Sequence, residues 1–166
     1  VSDDLCESEQ QWLPLPELMH GLLAGIRHSN VQVEFDVQSV PRVLVPGSAV
    51  SMVLLNLIDN AVKYHLCAKE NPWVRVSAEA TRVDDGSEGV RILVADNGRG
   101  IDPELQETIL EFSTRGTNHT EEGSGLGLAL SRDIVTQLGG HIRLESEPGR
   151  GTEVSVVVPA RPSARD

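Results

Sequence analysis

The stretch Asn56-Leu57-Ile58-Asp59-Asn60-Ala61-Val62-Lys63-Tyr64 decides how this chain is interpreted. Apolar residues recur through it at helical spacing, which predicts the middle of a long helix. Asn56 and Asn60 are four positions apart and share one helix face, and Lys63 follows on that side about a turn later. This face offers amide oxygens to a divalent cation, an ammonium to phosphate and, at Tyr64, an aromatic ring to a flat base. A solvated helix face has the same composition, so the interpretation depends on the rest of the chain.

The composition limits the classes of protein to be considered. The chain has 166 residues, 39% hydrophobic and 23% charged, which is typical of one globular domain with its own core. Its formal net charge of -11 argues against nonspecific binding of nucleic acid or anionic membranes. Cys6 and Cys67 lack metal-ligand spacing and indicate free thiols in a reducing compartment.

The chain also lacks targeting signals. It contains neither an apolar run of ~20 residues nor a signal peptide, and it begins at Val1 instead of Met. We therefore expect a cytoplasmic fragment of a longer protein. An inner-membrane anchor in the remaining parts of that protein is compatible with this expectation.

The periodicity of apolar residues predicts a two-layer α+β sandwich. Strands are expected at 31–37, 42–45, 73–82, 90–95, 141–145 and 153–158, with a mixed, mostly antiparallel sheet. Three helices are expected on one face of this sheet: one at about 17–26, one that follows Pro46-Gly47-Ser48, and one at 124–138. Residues 103–110 are compatible with a further short helix. The domain would span 12–159, after a polar lead-in at 1–11 and before a polar tail at 160–166.

Two glycine-containing motifs suggest a nucleotide. In Asp96-Asn97-Gly98-Arg99-Gly100-Ile101, a carboxylate at a strand end can accept a hydrogen bond from the adenine amino group, worth about 1.5–3 kcal/mol. Asp-Asn-Gly is also ordinary turn chemistry. In Gly123-Ser124-Gly125-Leu126-Gly127-Leu128, alternate glycines before a helix expose backbone N–H groups that suit polyphosphate.

A polar segment separates the two glycine motifs. Residues 112–122 are polar and flanked by glycine, which is the composition of a mobile lid, here about 101–123. Within this lid, Arg115 is best suited to reach a terminal phosphate, although a plain surface loop explains the same residues.

In this order, the motifs resemble the catalytic and ATP-binding domain of sensor histidine kinases, in the superfamily shared with DNA gyrase, the Hsp90 chaperones and the MutL proteins. The resemblance runs from about Trp12 to Pro159 and implies a Bergerat-type ATP-binding fold. The opening stretch resembles the N box, the two glycine motifs resemble the first and second glycine boxes, and Gly149-Arg150-Gly151-Thr152 resembles the closing Gly-x-Gly-Thr element.

The resemblance implies roles at the matching positions. Mg²⁺ would be coordinated by Asn60 with help from Asn56, and Lys63 would contact phosphate beside Tyr64 near the nucleotide. The catalytic cations of phosphoryl transfer would be Lys63 and, from the composition of the lid alone, Arg115.

On the base side, Asp96 would read the adenine amino group and Thr152 would support it through water. The glycine boxes would complete the ATP site through these residues: Gly98, Gly100, Ile101, Ser124, Gly125, Leu126, Gly127 and Leu128.

The implied activity is that of a protein-histidine kinase, which transfers the γ-phosphoryl group of Mg-ATP to a histidine on a dimerisation domain of the same protein and so serves a response regulator indirectly. Gyrase-like ATPases carry a Glu general base where this chain has Asn56, so hydrolysis lacks its water activator here. The acceptor motif His-Glu-x-x is absent at all five histidines of the chain: His20, His28, His65, His119 and His141. The fragment is therefore not expected to phosphorylate itself.

Two alternatives stay open. A serine kinase of the same superfamily would share these motifs, and a degenerate module that senses nucleotide or docks a partner would retain some of them. The segment Ile109 to Arg115 lacks the Glu-Pro-Phe that is usual in the family's lid. This departure leaves the lid packing and the terminal-phosphate contact open.

Overall fold

A computed structural model describes residues 11–26, 31–36, 38–63, 70–111 and 126–164. Its helices are α1 (Leu15–Gly25), α2 (Gly47–Lys63), α3 (Pro103–Glu111) and α4 (Leu126–Gln137). Its strands are β1 (Trp12–Pro14), β2 (Gln32–Phe35), β3 (Val43–Pro46), β4 (Trp73–Arg82), β5 (Glu88–Asp96), β6 (His141–Glu147), β7 (Gly151–Pro159) and β8 (Arg161–Pro162). No helix within these ranges is long and apolar enough to cross a membrane.

The main sheet has five strands in the order β2-β4-β5-β7-β6. Strands β2 and β4 are parallel, and the other neighbours are antiparallel. The predicted α+β class, with a mixed, mostly antiparallel sheet covered by helices on one face, is therefore confirmed. The described residues contain four helices, because the short segment at 103–111 does form a helix.

A second, small sheet has the order β1-β3-β8. Its central strand β3 corresponds to the strand predicted at 42–45, whereas β1 and β8, with three and two residues, were not predicted. The polar tail therefore begins as a strand: Arg161 pairs with Leu44, and its guanidinium lies 3.8 Å from the ring centroid of Trp12. This stacked cation fixes the end of the domain against its beginning.

Alternation along the long strands separates the core from solvent. Inward residues such as Val76, Ile92 and Val156 are 1 to 2% exposed and pack under the helices. On the other face, Arg91 and Glu79 form an exposed ion pair. The helix layer therefore lies over a single apolar face of the sheet.

Helix α2 has a buried stripe with helical spacing at Val50, Val53, Leu54, Leu57, Ile58 and Ala61. Its first residue is Gly47, where a Cβ atom would collide with the Leu13 side chain. Asn56 and Asn60 border the buried stripe and are half-buried, whereas Asp59 is exposed. Burial of the stripe thus holds one edge of α2 over the sheet.

Leu54 and Leu55 allow a matched test of this packing, because they are neighbours in α2 with 1% and 48% exposure. We expect Leu54→Ala to reduce the free energy of unfolding by about 2–5 kcal/mol, since it leaves a cavity in the core. Leu55→Ala should change it by about 0.5 kcal/mol or less, because alanine favours the helix and little surface is uncovered. Urea denaturation measures both values, and equal losses would contradict the packing described.

Candidate functional site

The register of the sheet brings together two motifs that are distant in sequence. Asp96, the last residue of β5, is paired with Thr152 of β7, and Thr152 is paired with Ser146 of β6. The three residues form a row across three strands at one end of the sheet. The first glycine motif therefore lies beside the closing Gly-x-Gly-Thr element.

A cavity of about 430 Å³ opens at this end of the sheet, between the strands and the helices. Its volume lies in the range of small-molecule sites, and its lining is mostly apolar with a few polar groups, as is usual for such sites. The lining residues come from α2, β5, the loop after β5, α3, α4, and β7 with the turn before it: Leu57, Asn60, Ala61, Val94, Asp96, Arg99, Gly100, Ile101, Asp102, Leu105, Ile109, Leu128, Pro148, Thr152 and Val154.

The cavity contains a subset of the residues that the sequence predicted for a site. The predicted residues in its lining are Asn60, Asp96, Gly100, Ile101, Leu128 and Thr152. Four other predicted residues of the described ranges are absent from the lining: Asn56, Lys63, Gly98 and Gly127. The lining also includes apolar residues such as Leu57, Val94 and Leu105, which the sequence could not distinguish from ordinary core positions.

The two glycines of the first box have different roles. The Gly98 N–H donates to Asp96 Oδ1 at 2.8 Å and so fixes one carboxylate oxygen. Gly100 has a φ of +72°, and a Cβ atom there would collide with the carbonyl oxygen of Glu147. This loop therefore packs directly on the turn between β6 and β7.

Two residues that were not predicted, Ser146 and Gln106, form hydrogen bonds beside Thr152 at the edge of the cavity. The Ser146 hydroxyl contacts Thr152 Oγ1 at 2.8 Å and accepts from the Ile101 N–H at 2.8 Å. The Gln106 carboxamide donates to the carbonyl oxygens of Ile101 and Ser146, at 2.8 and 2.9 Å. Serine and glutamine are common on surfaces, and only the strand register shows that these two meet the site.

The second glycine box approaches the N box through Gly127. A Cβ atom at this position would lie 3.3 Å from Asn60 Nδ2, closer than most side chains tolerate. The first turn of α4, which begins at Leu126, therefore lies against the Asn60 amide. N–H groups of a helix N-terminus and an amide oxygen are thus adjacent at the cavity.

Lys63 occupies the exposed side of α2. Its ammonium lies 3.4 Å from the Asp59 carboxylate, and both side chains are about two-thirds exposed (66% and 63%). This geometry neither confirms nor contradicts a phosphate contact. That role stays a prediction.

Some predicted residues lie outside the described part of the chain: Tyr64, Arg115, Ser124 and Gly125. The predicted lid is described only as far as α3, and of Leu126 only the backbone is described. Within the described ranges, no group of three or more His, Cys, Asp or Glu side chains could hold a metal ion.

Residues 47–162 match the family of histidine kinase-, DNA gyrase B- and HSP90-like ATPases. The chain belongs to this family. The match begins at the first residue of α2 and ends at the last residue of β8, so it includes every strand and helix that lines the cavity of this ATPase-family domain.

Individual relatives are sensor kinases. The chain is 32% identical over 167 residues to the signal transduction histidine-protein kinase/phosphatase MprB of Mycolicibacterium vanbaalenii, covering 97% of the chain and 33% of that protein. The domain therefore spans about a third of the length of this relative.

Solved structures show the same fold. The catalytic domain of the histidine kinase ThkA has 28% identity and a TM-score of 0.65, over 93% of this chain and 98% of that one. Full-length ShkA, solved in complex with AMPPNP, has 27% identity and a TM-score of 0.70, over 95% of this chain and 33% of that one.

Proposed function

We propose that this domain binds ATP and acts as the catalytic domain of a sensor histidine kinase, transferring the γ-phosphoryl group to a histidine on a dimerisation domain of the longer protein. The observation that carries the proposal is that Asn60, Asp96 and Thr152, from three separate motifs, line one cavity. The resemblance to the ThkA catalytic domain over nearly its whole length, and the AMPPNP in the ShkA structure, support it.

The base end of the cavity suits adenine. Asp96 supplies an acceptor for the exocyclic amino group, and the Gly98 N–H restrains that carboxylate. Apolar side chains such as Ile101 and Leu128 line the cavity and can pack against the faces of the ring. Guanine carries an oxygen where adenine carries its amino group, so Asp96 would repel it.

The other end suits the phosphates with Mg²⁺. Asn60 offers a neutral amide oxygen, and Mg²⁺ is usually held by one or two protein ligands together with substrate phosphates and water. Bound Mg²⁺ would neutralise charge on the phosphates. Asn60 fits as the direct ligand because it lines the cavity, and Asn56, one turn away, would assist it.

Cations would complete the phosphate site. The Lys63–Asp59 pair is exposed and contributes at most about 1 kcal/mol, so Lys63 can leave it for a phosphate at little cost. The α4 N-terminus offers N–H groups, and Arg115 would supply a second cation. Together these groups would position and neutralise the transferred phosphoryl group.

The acceptor histidine is proposed to come from the dimerisation domain. Among the described residues, His20 Nδ1 contacts the Pro16 carbonyl oxygen and His141 lies 3.4 Å from Asp84, and neither lines the cavity. Asn56 cannot activate a water as a general base, so transfer to a protein group is favoured over hydrolysis. The reaction would take place in the cytoplasm, and a response regulator would receive the phosphoryl group in turn.

Asp96→Asn tests the base end. The Gly98 N–H requires an acceptor, so the asparagine will keep its oxygen on Gly98 and turn its NH₂ group towards the ligand. We expect ATP affinity to fall about tenfold to a hundredfold, since a hydrogen bond to a charged group is worth about 1.5–3 kcal/mol.

Calorimetric titration with ATP and GTP, each with and without Mg²⁺, measures this effect. Asp84→Asn, in the turn between β4 and β5, is the control for loss of one negative charge. Unchanged ATP affinity in Asp96→Asn would refute its role, and no ATP binding by the wild-type domain at millimolar nucleotide would refute the proposed function.

Asn60→Ala tests the metal end. Removing the amide oxygen should make the affinity for ATP nearly independent of Mg²⁺, while ATP still binds weakly without the metal. The measurement compares dissociation constants with and without Mg²⁺ in the wild type, Asn60→Ala and Asn56→Ala. Asn56→Ala should retain most of the Mg²⁺ effect, and full metal dependence in Asn60→Ala would exclude it as the ligand.

Transfer is tested on the full-length protein with ATP labelled in the γ-phosphate. Histidine phosphorylation should give a label that is lost in acid and retained in base, because phosphohistidine is acid-labile. An acid-stable label would indicate transfer to serine instead. ATP binding without any labelling would indicate a nucleotide-sensing module.

A further inference from the structure

We propose that Ser146 fixes the direction of the Thr152 hydroxyl and so makes Asp96 and Thr152 a pair of hydrogen-bond acceptors in the cavity, which selects a 6-amino purine over a 6-oxo purine. This inference rests on the proposed function, because it concerns which base the cavity takes. Ser146 is a positioning residue here: it acts through Thr152 and is absent from the cavity lining.

The Ser146 hydroxyl makes three contacts. It accepts from the Ile101 N–H at 2.8 Å, it donates to the Gly151 carbonyl oxygen at 2.9 Å, and it lies 2.8 Å from Thr152 Oγ1. A hydroxyl has one hydrogen to donate and two lone pairs that accept. The three contacts together therefore use its full hydrogen-bonding capacity.

The direction of the Ser146–Thr152 bond follows from the other two. A backbone N–H can only donate, and a carbonyl oxygen can only accept. When all three contacts are made at once, the Ser146 hydrogen is on Gly151, and the Thr152 hydroxyl must donate to Ser146. Thr152 Oγ1 then has only lone pairs to offer the cavity that it lines.

The surrounding backbone keeps Ser146 in this position. Both hydrogens of the Gln106 carboxamide are used on the carbonyl oxygens of Ile101 and Ser146. Gly151 has a φ of +126°, and a Cβ atom there would collide with the Asp96 carbonyl oxygen. The framework that positions Asp96 therefore also determines the direction of the Thr152 hydroxyl.

A pair of acceptors at Asp96 and Thr152 discriminates between purines. An exocyclic amino group has two hydrogens, which Asp96 and Thr152 can accept directly or through one water. A 6-oxo group would place an acceptor against two acceptors. A freely rotating Thr152 hydroxyl could instead donate to the oxo group, and Ser146 removes that possibility.

The test measures the ratio of dissociation constants for ITP and ATP at fixed Mg²⁺. In Ser146→Ala the Thr152 hydrogen is released, and the preference for ATP should fall about fivefold, as expected for one neutral hydrogen bond of about 1 kcal/mol. Ser155→Ala is the matched control, because it deletes a hydroxyl from β7 on the opposite face of the sheet and should leave the ratio unchanged. Ser146→Thr keeps a hydroxyl at this position and should retain the wild-type ratio.

A double-mutant comparison separates this role from a general structural one. In a Thr152→Val background no hydroxyl remains to be directed, so adding Ser146→Ala should not change the ratio. Equal weakening of ATP and ITP by Ser146→Ala, or an unchanged effect in the Thr152→Val background, would overturn the inference. If Ser146→Ala does not fold, Ser146→Cys serves in its place, because a thiol is a weak donor and acceptor.

The outcome is distinguishable from failure of the proposed function. If the folded wild-type domain does not bind ATP, the proposed function and this inference both fail. If it binds ATP with an ITP/ATP ratio that no Ser146 variant alters, only this inference fails.

Discussion

The antiparallel pairing of β5 with β7 is the constraint on which the candidate site depends. It puts Asp96 beside Thr152, and the pairing of β6 with β7 adds Ser146 to the same row. Successive residues of a strand point to opposite faces, so a shift of one residue would turn Thr152 away from the helices. The buried residues Ile92, Val154 and Val156 oppose such a shift, because it would expose them. The packing of the core thus determines the chemistry at its edge.

The two ends of the cavity are built in different ways. At the proposed base end, the Gly98 N–H holds Asp96, and Ser146 is hydrogen-bonded to the Ile101 N–H and to Thr152. At the proposed phosphate end, Asn60 lies against Gly127 through the packing of two helices, and Lys63 forms an exposed pair with Asp59. The proposed base end is therefore preorganised, whereas the proposed phosphate end is held by fewer hydrogen bonds among the described residues.

Much of this architecture could be predicted from the sequence. The long strands alternate clearly, and the predicted hairpin at 73–95 and helix at 124–138 correspond to β4, β5 and α4. Of the small sheet only β3 was predicted, because strands of two or three residues, such as β1 and β8, carry too little alternation to be detected. The small sheet forms because Trp12, Arg161 and the residues around them pack against β3, which is tertiary information.

The candidate site was predicted less completely, for physical reasons. Motifs with unusual residues, such as Asp96 with its glycines, could be recognised because glycine at positive φ leaves a mark in the sequence. Leu57 and Val94 could not be recognised, because an apolar residue that lines a cavity cannot be distinguished in the sequence from one that fills the core. Ser146 and Gln106 act through hydrogen bonds across 40 to 45 positions of the sequence, and no local pattern reports them. The site was therefore visible where its chemistry constrains the backbone, and hidden where ordinary side chains acquire a role from the register of the sheet.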